Sequence, residues 1–302
     1  SCGGKHSLYN ACQTLFEHGD EVIIFSPYWV SFPDFVSVTG ATPIFVKTDS
    51  TKQYEPDFND LKEKITQNTK GIIINSPSNP TGGVWSDEAI RKVLDLCKDK
   101  DIWIFSDECY EQLVYDSKFK SIATLADSCD KILTFQSCSK TYAMTGWRIG
   151  YMLGNTEVVK GMSKLQGQST SCPNSIAQYA ATEALSGDQG CVLTMKNIFK
   201  SRRDLILEEI RKNKNIHCEC PNGAFYVFPD LAYYLGSKDL TGKKMLNSDD
   251  LCLYILETTG VVSVAGSSFG SDRNIRLSYA VSEENIIESI GLMNHTLSKL
   301  SF

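Results

Sequence analysis

Lys131-Ile-Leu-Thr-Phe-Gln136 is followed directly by Ser137-Cys138-Ser139-Lys140 and, four residues later, by Thr145-Gly146-Trp147-Arg148-Ile149-Gly150. The first run has the length and apolar content of a buried strand, and it delivers two hydroxyls and a lysine to the strand's end. A second strand-like run, Arg148–Leu153, begins only about ten residues later, too soon for a crossover helix. The second strand is therefore predicted to run antiparallel to the first and to start at the edge where the first one ends. Lys140 and Arg148 then share that edge. An amine with a reference pKa of about 10.4 must lose a proton to attack a carbonyl, so Lys140 calls for a cationic or desolvating neighbourhood.

Outward from this stretch, short β-branched or aromatic runs recur at Glu21–Ser26, Pro43–Lys47, Gly71–Asn75 and Ile102–Ser106. Helical patterns lie between most of them. Ser86-Asp87-Glu88 reads as a cap and acidic first turn before Ile90, Val93, Leu94 and Cys97, and Asp57–Ile65 is a second candidate. Such alternation predicts an α/β fold with a mostly parallel sheet between two helical layers. From Thr156 the pattern turns helical: Val158, Val159, Met162 and Leu165 share one face, and Ala177, Ala180, Ala181 and Ala184 another. A long helix through Val192–Arg211 leads into short strands (Ala224–Phe228, Val261–Val264, Asn274–Ser278) mixed with helices at Ser248–Thr258 and Ser282–Leu300. The expected division is a large domain over residues 1–190 and a smaller α+β domain over 191–302.

Composition narrows the classes. The 302 residues are 42% hydrophobic and 22% charged with a net charge of −6, and no basic block marks a nucleic-acid binder. No apolar run reaches the ~18 residues needed to span a bilayer, and no signal peptide is visible. The eleven cysteines are odd in number and irregularly spaced, mostly inside apolar segments, which favours free thiols in a reduced, cytoplasmic protein. Cys218-x-Cys220 lacks a second ligand pair, and the four histidines are scattered, so no metal is expected.

In an open parallel sheet, ligands bind beyond the carboxyl ends of the strands. Four of those ends are unusual here. Glu21–Ser26 is followed by Pro27-Tyr28-Trp29, and Gly71–Asn75 by Ser76-Pro77-Ser78-Asn79-Pro80-Thr81-Gly82. Ile102–Ser106 is followed by Asp107-Glu108-Cys109-Tyr110, and Lys131–Gln136 by Ser137 to Lys140. Each piece alone has a bland reading. Trp29 serves equally as a core aromatic, residues 79–82 as a turn, Lys140 as a solvated charge and Arg148 as a surface ion pair. Asp107-Glu108 also resembles a magnesium-holding element, but Gly4-Lys5 lacks the spacing and hydroxyl of a nucleotide loop. Together the pieces suit pyridoxal 5'-phosphate. Asp107 provides a carboxylate for a protonated ring nitrogen, Trp29 a platform, and Asn79 and Tyr110 partners for the ring hydroxyl. Gly3-Gly4-Lys5 opens a helix whose N–H groups suit a phosphate, with Arg148, Ser137 and Ser139 completing the cradle.

The segments G-G-K (3–5), S-P-Y-W (26–29), N-S-P-S-N-P-T-G (75–82), S-D-E-C-Y (106–110), S-C-S-K (137–140), T-G-W-R-I-G-Y (145–151) and N-I-R-L-S-Y-A (274–280) resemble the class I aminotransferases of the fold-type-I pyridoxal-phosphate enzymes. Within that family the bacterial-type aspartate aminotransferases are the nearest in motif. The resemblance runs from end to end. It implies Lys140 as the Schiff-base lysine, Asp107 on the pyridine nitrogen, Tyr110 on the ring oxygen and Trp29 against the ring. It also implies that Asn79 touches ring oxygen and substrate carboxylate, that Arg276 grips the α-carboxylate, and that Lys5 reaches a distal carboxylate of aspartate or glutamate. The implied reaction passes an amino group from an amino acid to a 2-oxo acid, with 2-oxoglutarate as acceptor, in a homodimer. Prephenate, aromatic or alanine transamination stays open, as do a carbon–sulfur β-lyase and a non-catalytic sensor module, although no helix-turn-helix segment accompanies the chain. The resemblance further places an N-terminal arm and another segment ahead of Gly3, and the first residue is Ser1, so the chain is expected to be the remainder of a longer protein.

Overall fold

The computed structural model describes residues 1–302. In chain order the regular elements are α1 (Gly4–Leu15), β1 (Glu21–Ser26), α2 (Ser31–Ser37), β2 (Thr42–Asp49), β3 (Glu55–Pro56), α3 (Phe58–Lys64), β4 (Thr69–Asn75), α4 (Asp87–Cys97), β5 (Trp103–Asp107), β6 (Ile132–Ser137), α5 (Cys138–Thr141) and β7 (Gly150–Leu153). There follow α6 (Thr156–Ser169), α7 (Ser175–Ser186), α8 (Gly190–Arg211), β8 (Tyr226–Val227), α9 (Ser248–Thr259), β9 (Val264–Ala265), β10 (Ile275–Ser278) and α10 (Glu283–Leu297).

Seven strands form one sheet in the order β3-β2-β1-β4-β5-β6-β7. The inner pairs are parallel, and only the two edge strands run the other way. The short link after β6 does reverse the chain, as its length predicts. Alternate side chains of each strand enter opposite layers. Val22 and Ile24 pack under α1, α2 and α6 with Leu8, Phe32 and Met162. Ile23 and Phe25 pack with Leu61 of α3 and Ile90 and Val93 of α4 on the other face. Burial on both faces explains why β4 carries the unbroken run Ile72, Ile73, Ile74. This is the three-layer α/β arrangement expected.

The helix signals hold where caps exist. Ser86 accepts from the Ala89 N–H, Asp57 from Asn59 and Asp60, and Ser282 from Asn285, each as an N-cap. Other expectations need correction. β7 begins at Gly150, so Arg148 lies in the turn before it, in a left-handed conformation with φ 55° and ψ 52°. The link has instead folded into one turn of helix (α5) and a 3-10 turn, Thr145–Trp147. β5 and β6 each start and end one residue later than expected, which puts Asp107 and Ser137 in the ladder itself. Val159 and Leu165 do not share the buried face of α6, which consists of Val158 and Met162. Only Cys12, Cys97 and Cys138 of the eleven thiols are fully buried.

Beyond α7 the chain builds a three-stranded antiparallel sheet, β8-β10-β9. Phe199, Ile206 and Ile210 of α8, Leu251 and Ile255 of α9, and Ile286, Ile290 and Met293 of α10 enclose it in one core with Tyr226, Val227, Ile275 and Leu277.

The start of α1 lies against the start of β7. The Ser1 nitrogen donates to Gly150 O at 2.7 Å, and a Cβ at Gly150 would collide with the Gly4 nitrogen. Gly150→Ala is expected to lower stability by about 1–3 kcal/mol through overpacking. Gly291→Ala, on the open face of α10 with no atom near its would-be Cβ, is expected to raise it by about 0.5–1 kcal/mol. Urea denaturation of the two variants beside the parent checks both signs.

Candidate active site

The ends of β4, β5 and β6 set the frame. Register pairs Asn75 with Asp107 and Asp107 with Phe135. The Asn75 side chain then ties two segments together: its Nδ2 donates to Asp107 O at 3.1 Å, and its Oδ1 accepts from the Asn79 N–H at 2.8 Å. A cavity of about 310 Å³ opens above these strand ends. All eleven residues singled out from the sequence line it: Gly4, Lys5, Trp29, Asn79, Asp107, Tyr110, Ser137, Ser139, Lys140, Arg148 and Arg276.

One end of the cavity is built around glycine. Gly3 caps α1 with φ 89°, leaving the first N–H groups of the helix without intrahelical partners. A Cβ on Gly3 would overlap the Arg148 guanidinium, so only glycine lets that side chain lie against the helix start. Arg148 is steadied by donating Nη1 to Thr145 O at 2.8 Å. Ser137 caps α5 by accepting from the Ser139 N–H at 3.1 Å, and its hydroxyl donates to Ser139 Oγ at 2.7 Å. Dipole, guanidinium and hydroxyls converge on a place suited to a phosphate.

Charge in the middle of the site is governed by burial. Asp107 is 5% exposed. Desolvation pushes its carboxyl up to about 6, against the opposing pull of the Cys109 N–H at 3.3 Å and of Lys140. Burial lowers the Lys140 ammonium, and the guanidinium groups of Arg276 and Arg148 lower it further. Its Nζ stands over the rings of Phe225 and Tyr110, 5.3 and 5.9 Å from their centroids. The Tyr110 phenol is driven well above its ordinary value by burial and keeps its proton. A buried carboxylate, a phenol held protonated and an amine eased toward its neutral form thus surround one space.

Trp29 forms one wall and is held edge-on by Phe32 and Phe35, at centroid separations of 5.3 and 5.9 Å. Lys5 Nζ lies 4.8 Å above its ring. At the other side Arg276 donates Nη1 to Asn79 Oδ1 at 2.9 Å, with its guanidinium carbon 4.6 Å from the Tyr226 ring and 5.0 Å from Phe269. With Lys140 and Arg148, Lys5 and Arg276 make four basic side chains in the lining of the cavity.

Residues 1–290 match the model of aminotransferase class I and II. The chain belongs to that family. It is 42% identical over 290 residues to a probable aspartate/prephenate aminotransferase of Rhizobium leguminosarum, an alignment covering 95% of this chain and 72% of the relative. It is 39% identical over 304 residues to an aspartate aminotransferase of Bacillus subtilis, covering 99% and 75%. The crystal structure of the aspartate aminotransferase of Rhizobium meliloti superposes with a TM-score of 0.95 at 37% identity, covering 100% of this chain and 76% of that one. The chain is thus an aminotransferase, an enzyme of amino-group transfer, and its fold is that of these structural neighbours.

Leu8, Asn75, Cys109, Thr145 and Tyr226 also line the cavity of this aminotransferase. Asn75, Cys109 and Thr145 fall inside motifs already noted but were not assigned. Leu8 follows from helical spacing after Gly4-Lys5. Tyr226 carries no local signal at all.

Asp107 makes stability depend on pH with a definite sign. Its folded pKa of about 6 exceeds the unfolded value of about 3.9, so the folded protein binds that proton more tightly. The cost of its charge is complete above pH 6 and is relieved as pH falls toward 4. In cofactor-free protein, Asp107→Asn is expected to be the more stable form at about pH 7.5 by on the order of 3 kcal/mol, the gap closing by about pH 4. Thermal melts of both proteins across that range decide it, and a gap independent of pH counts against the burial argument.

Proposed function

We propose that this aminotransferase holds pyridoxal 5'-phosphate in the cavity and acts on aspartate or glutamate, with 2-oxoglutarate as the natural acceptor. The observation that carries the reading is the gathering of Lys140, Asp107 and two guanidinium groups in one cavity, with Lys5 as a further basic side chain in its lining. The donor set fits the cofactor. Asp107 is a buried carboxylate whose only hydrogen bond to a side-chain oxygen is the Cys109 N–H, so a protonated heteroaromatic nitrogen would relieve its desolvation. The start of α1, Arg148, Ser137 and Ser139 would hold the phosphate, Trp29 the ring face, and Asn79 and Tyr110 the ring oxygen. When bound, the cofactor supplies an electron sink for the bond broken at the substrate's α-carbon.

The chain's own groups do the rest. Arg276 presents a planar fork to the α-carboxylate, fixed by Asn79 on one nitrogen and by aromatic rings against its face. Lys140 Nζ, eased toward the neutral amine by burial and the neighbouring arginines, takes the α-proton and returns it. Asp107 would hold a carboxylate against a protonated ring nitrogen and so keep that proton in place. Lys5, exposed at the first turn of α1, meets the distal carboxylate of a four- or five-carbon dicarboxylic acid. Prephenate also bears two carboxylates, and relatives carry aspartate/prephenate names, so it is the second substrate to try.

The same reading extends to assembly. A division near residue 190 into a cofactor-binding part and a smaller part is supported by α8, which starts at Gly190 and packs into the core around β8–β10. A homodimer is supported by Ile176 and Tyr179 on α7, apolar side chains left 71% and 82% exposed. Eleven free cysteines suit a reducing, cytoplasmic setting, and no helix is long and apolar enough to cross a membrane.

Lys140→Ala is expected to abolish the absorbance of the Schiff base between protein and cofactor and the turnover of aspartate with 2-oxoglutarate; retention of both refutes its assignment. Lys5→Ala is expected to raise KM for aspartate about tenfold or more while leaving alanine and phenylalanine little changed, as loss of one charged hydrogen bond predicts. A substrate panel on the parent and on this variant measures the difference.

A further inference from the structure

Tyr226 lies outside every motif that marks the site, yet its side chain touches both ends of it. Its hydroxyl is 3.1 Å from that of Tyr110, and its ring lies beneath the Arg276 guanidinium at 4.6 Å. Strand register explains the placement. Tyr226 stands opposite Ser278 in the β8–β10 pair, so Arg276, two residues from Ser278, shares its face and sits diagonally from it. The ring centroid lies 4.6 Å from the guanidinium carbon, which the Phe269 ring also approaches at 5.0 Å, while Asn79 Oδ1 accepts from one nitrogen. Tyr226 is itself 6% exposed, and the one hydrogen-bond partner of its hydroxyl is the Tyr110 hydroxyl.

Two phenols joined by one hydrogen bond have a proton to spare. When Tyr226 donates to Tyr110, the Tyr110 proton is free to point into the cavity; in the opposite sense it is not. A ligand oxygen at that place selects the first arrangement, and a chain of donors strengthens each of its members.

We propose that Tyr226 is a positioning residue joining the two halves of the site: its ring holds the Arg276 guanidinium flat for a carboxylate, and its hydroxyl turns the Tyr110 proton toward the cofactor's ring oxygen. The assignment rests on the pyridoxal-phosphate aminotransferase reading above. Removing the hydroxyl alone weakens donation by Tyr110, makes the ring oxygen more basic, and holds the neighbouring ring-side proton more tightly. Removing the ring as well frees the guanidinium. The other ionisable groups around the phenol pair (Asp107, Cys109, Lys140 and Arg276) are the same in both variants.

The test compares cofactor-loaded parent, Tyr226→Phe and Tyr226→Leu by two measurements. One is the Kd of succinate, a dicarboxylate with no amino or oxo group to react, by calorimetry. The other is the pH midpoint of the cofactor's visible absorbance change. Tyr226→Phe is expected to bind succinate within about twofold of the parent, with the midpoint raised by roughly half a pH unit or more. Tyr226→Leu is expected to show the same rise and to bind succinate about tenfold more weakly. Should the Leu variant not fold, Tyr226→Met carries the same expectation. A midpoint unmoved in Tyr226→Phe, or parental succinate affinity in the variant without the ring, overturns the assignment. A parent that takes up no cofactor overturns the functional reading and this one together. A parent that loads and transaminates beside variants that match it overturns this one alone.

Discussion

An ammonium and a carboxylate, both short of water, face one cavity at the ends of adjacent parallel strands. The end of β5 and the single helical turn after β6 bring Asp107 and Lys140 there. Burial disfavours the charged form of each, lowering the lysine and raising the aspartate. Holding either charged costs free energy, which the two apolar layers on the faces of the sheet must offset. A functional site of this kind is a local loss of stability, tolerable because Val22 to Phe25 and Ile72 to Ile74 are packed on both sides.

The second constraint is steric. Gly3 and Gly150 allow a helix start, a strand start and a guanidinium to occupy adjoining space. Backbone N–H groups and Arg148 can then act on the same anion. The side chains that complete the site come from far along the sequence: Arg276 is brought in by β10, and its orientation depends on Asn79 in the loop after β4 and on Tyr226 in β8. The site is thus shared between the seven-stranded sheet and the three-stranded one.

Much of this was legible in the residues. Strand ends could be read because fully buried parallel strands are continuous apolar runs, and the polar residues that follow them stand out. Caps could be read because Ser86, Asp57 and Ser282 have a local geometric task. What escaped depends on partners remote in sequence. The one-residue offsets of β5 and β6 are set by neighbouring strands, since Asp107 joins the ladder through Asn75 and Phe135. The helix α2 was hidden by Pro33, which its first turn tolerates. Arg148 was read as a strand residue because Ile149 beside it is apolar, but the turn before β7 holds it in a conformation that composition does not announce. Tyr226 was invisible because its two-residue strand has no periodicity, and its contacts arise from the register with β10. Arg276 was legible only through resemblance.

The reversal of the chain after β6 carries one more implication. Since β7 turns back at once, a single short loop connects the Lys140 amine to the Arg148 guanidinium, and both of its ends are anchored in the same sheet. That loop acts as a molecular ruler: it sets the spacing between an amine and a guanidinium that line one cavity. Insertions there would change the calliper itself, whereas loops at the opposite rim of the sheet are free to drift in length.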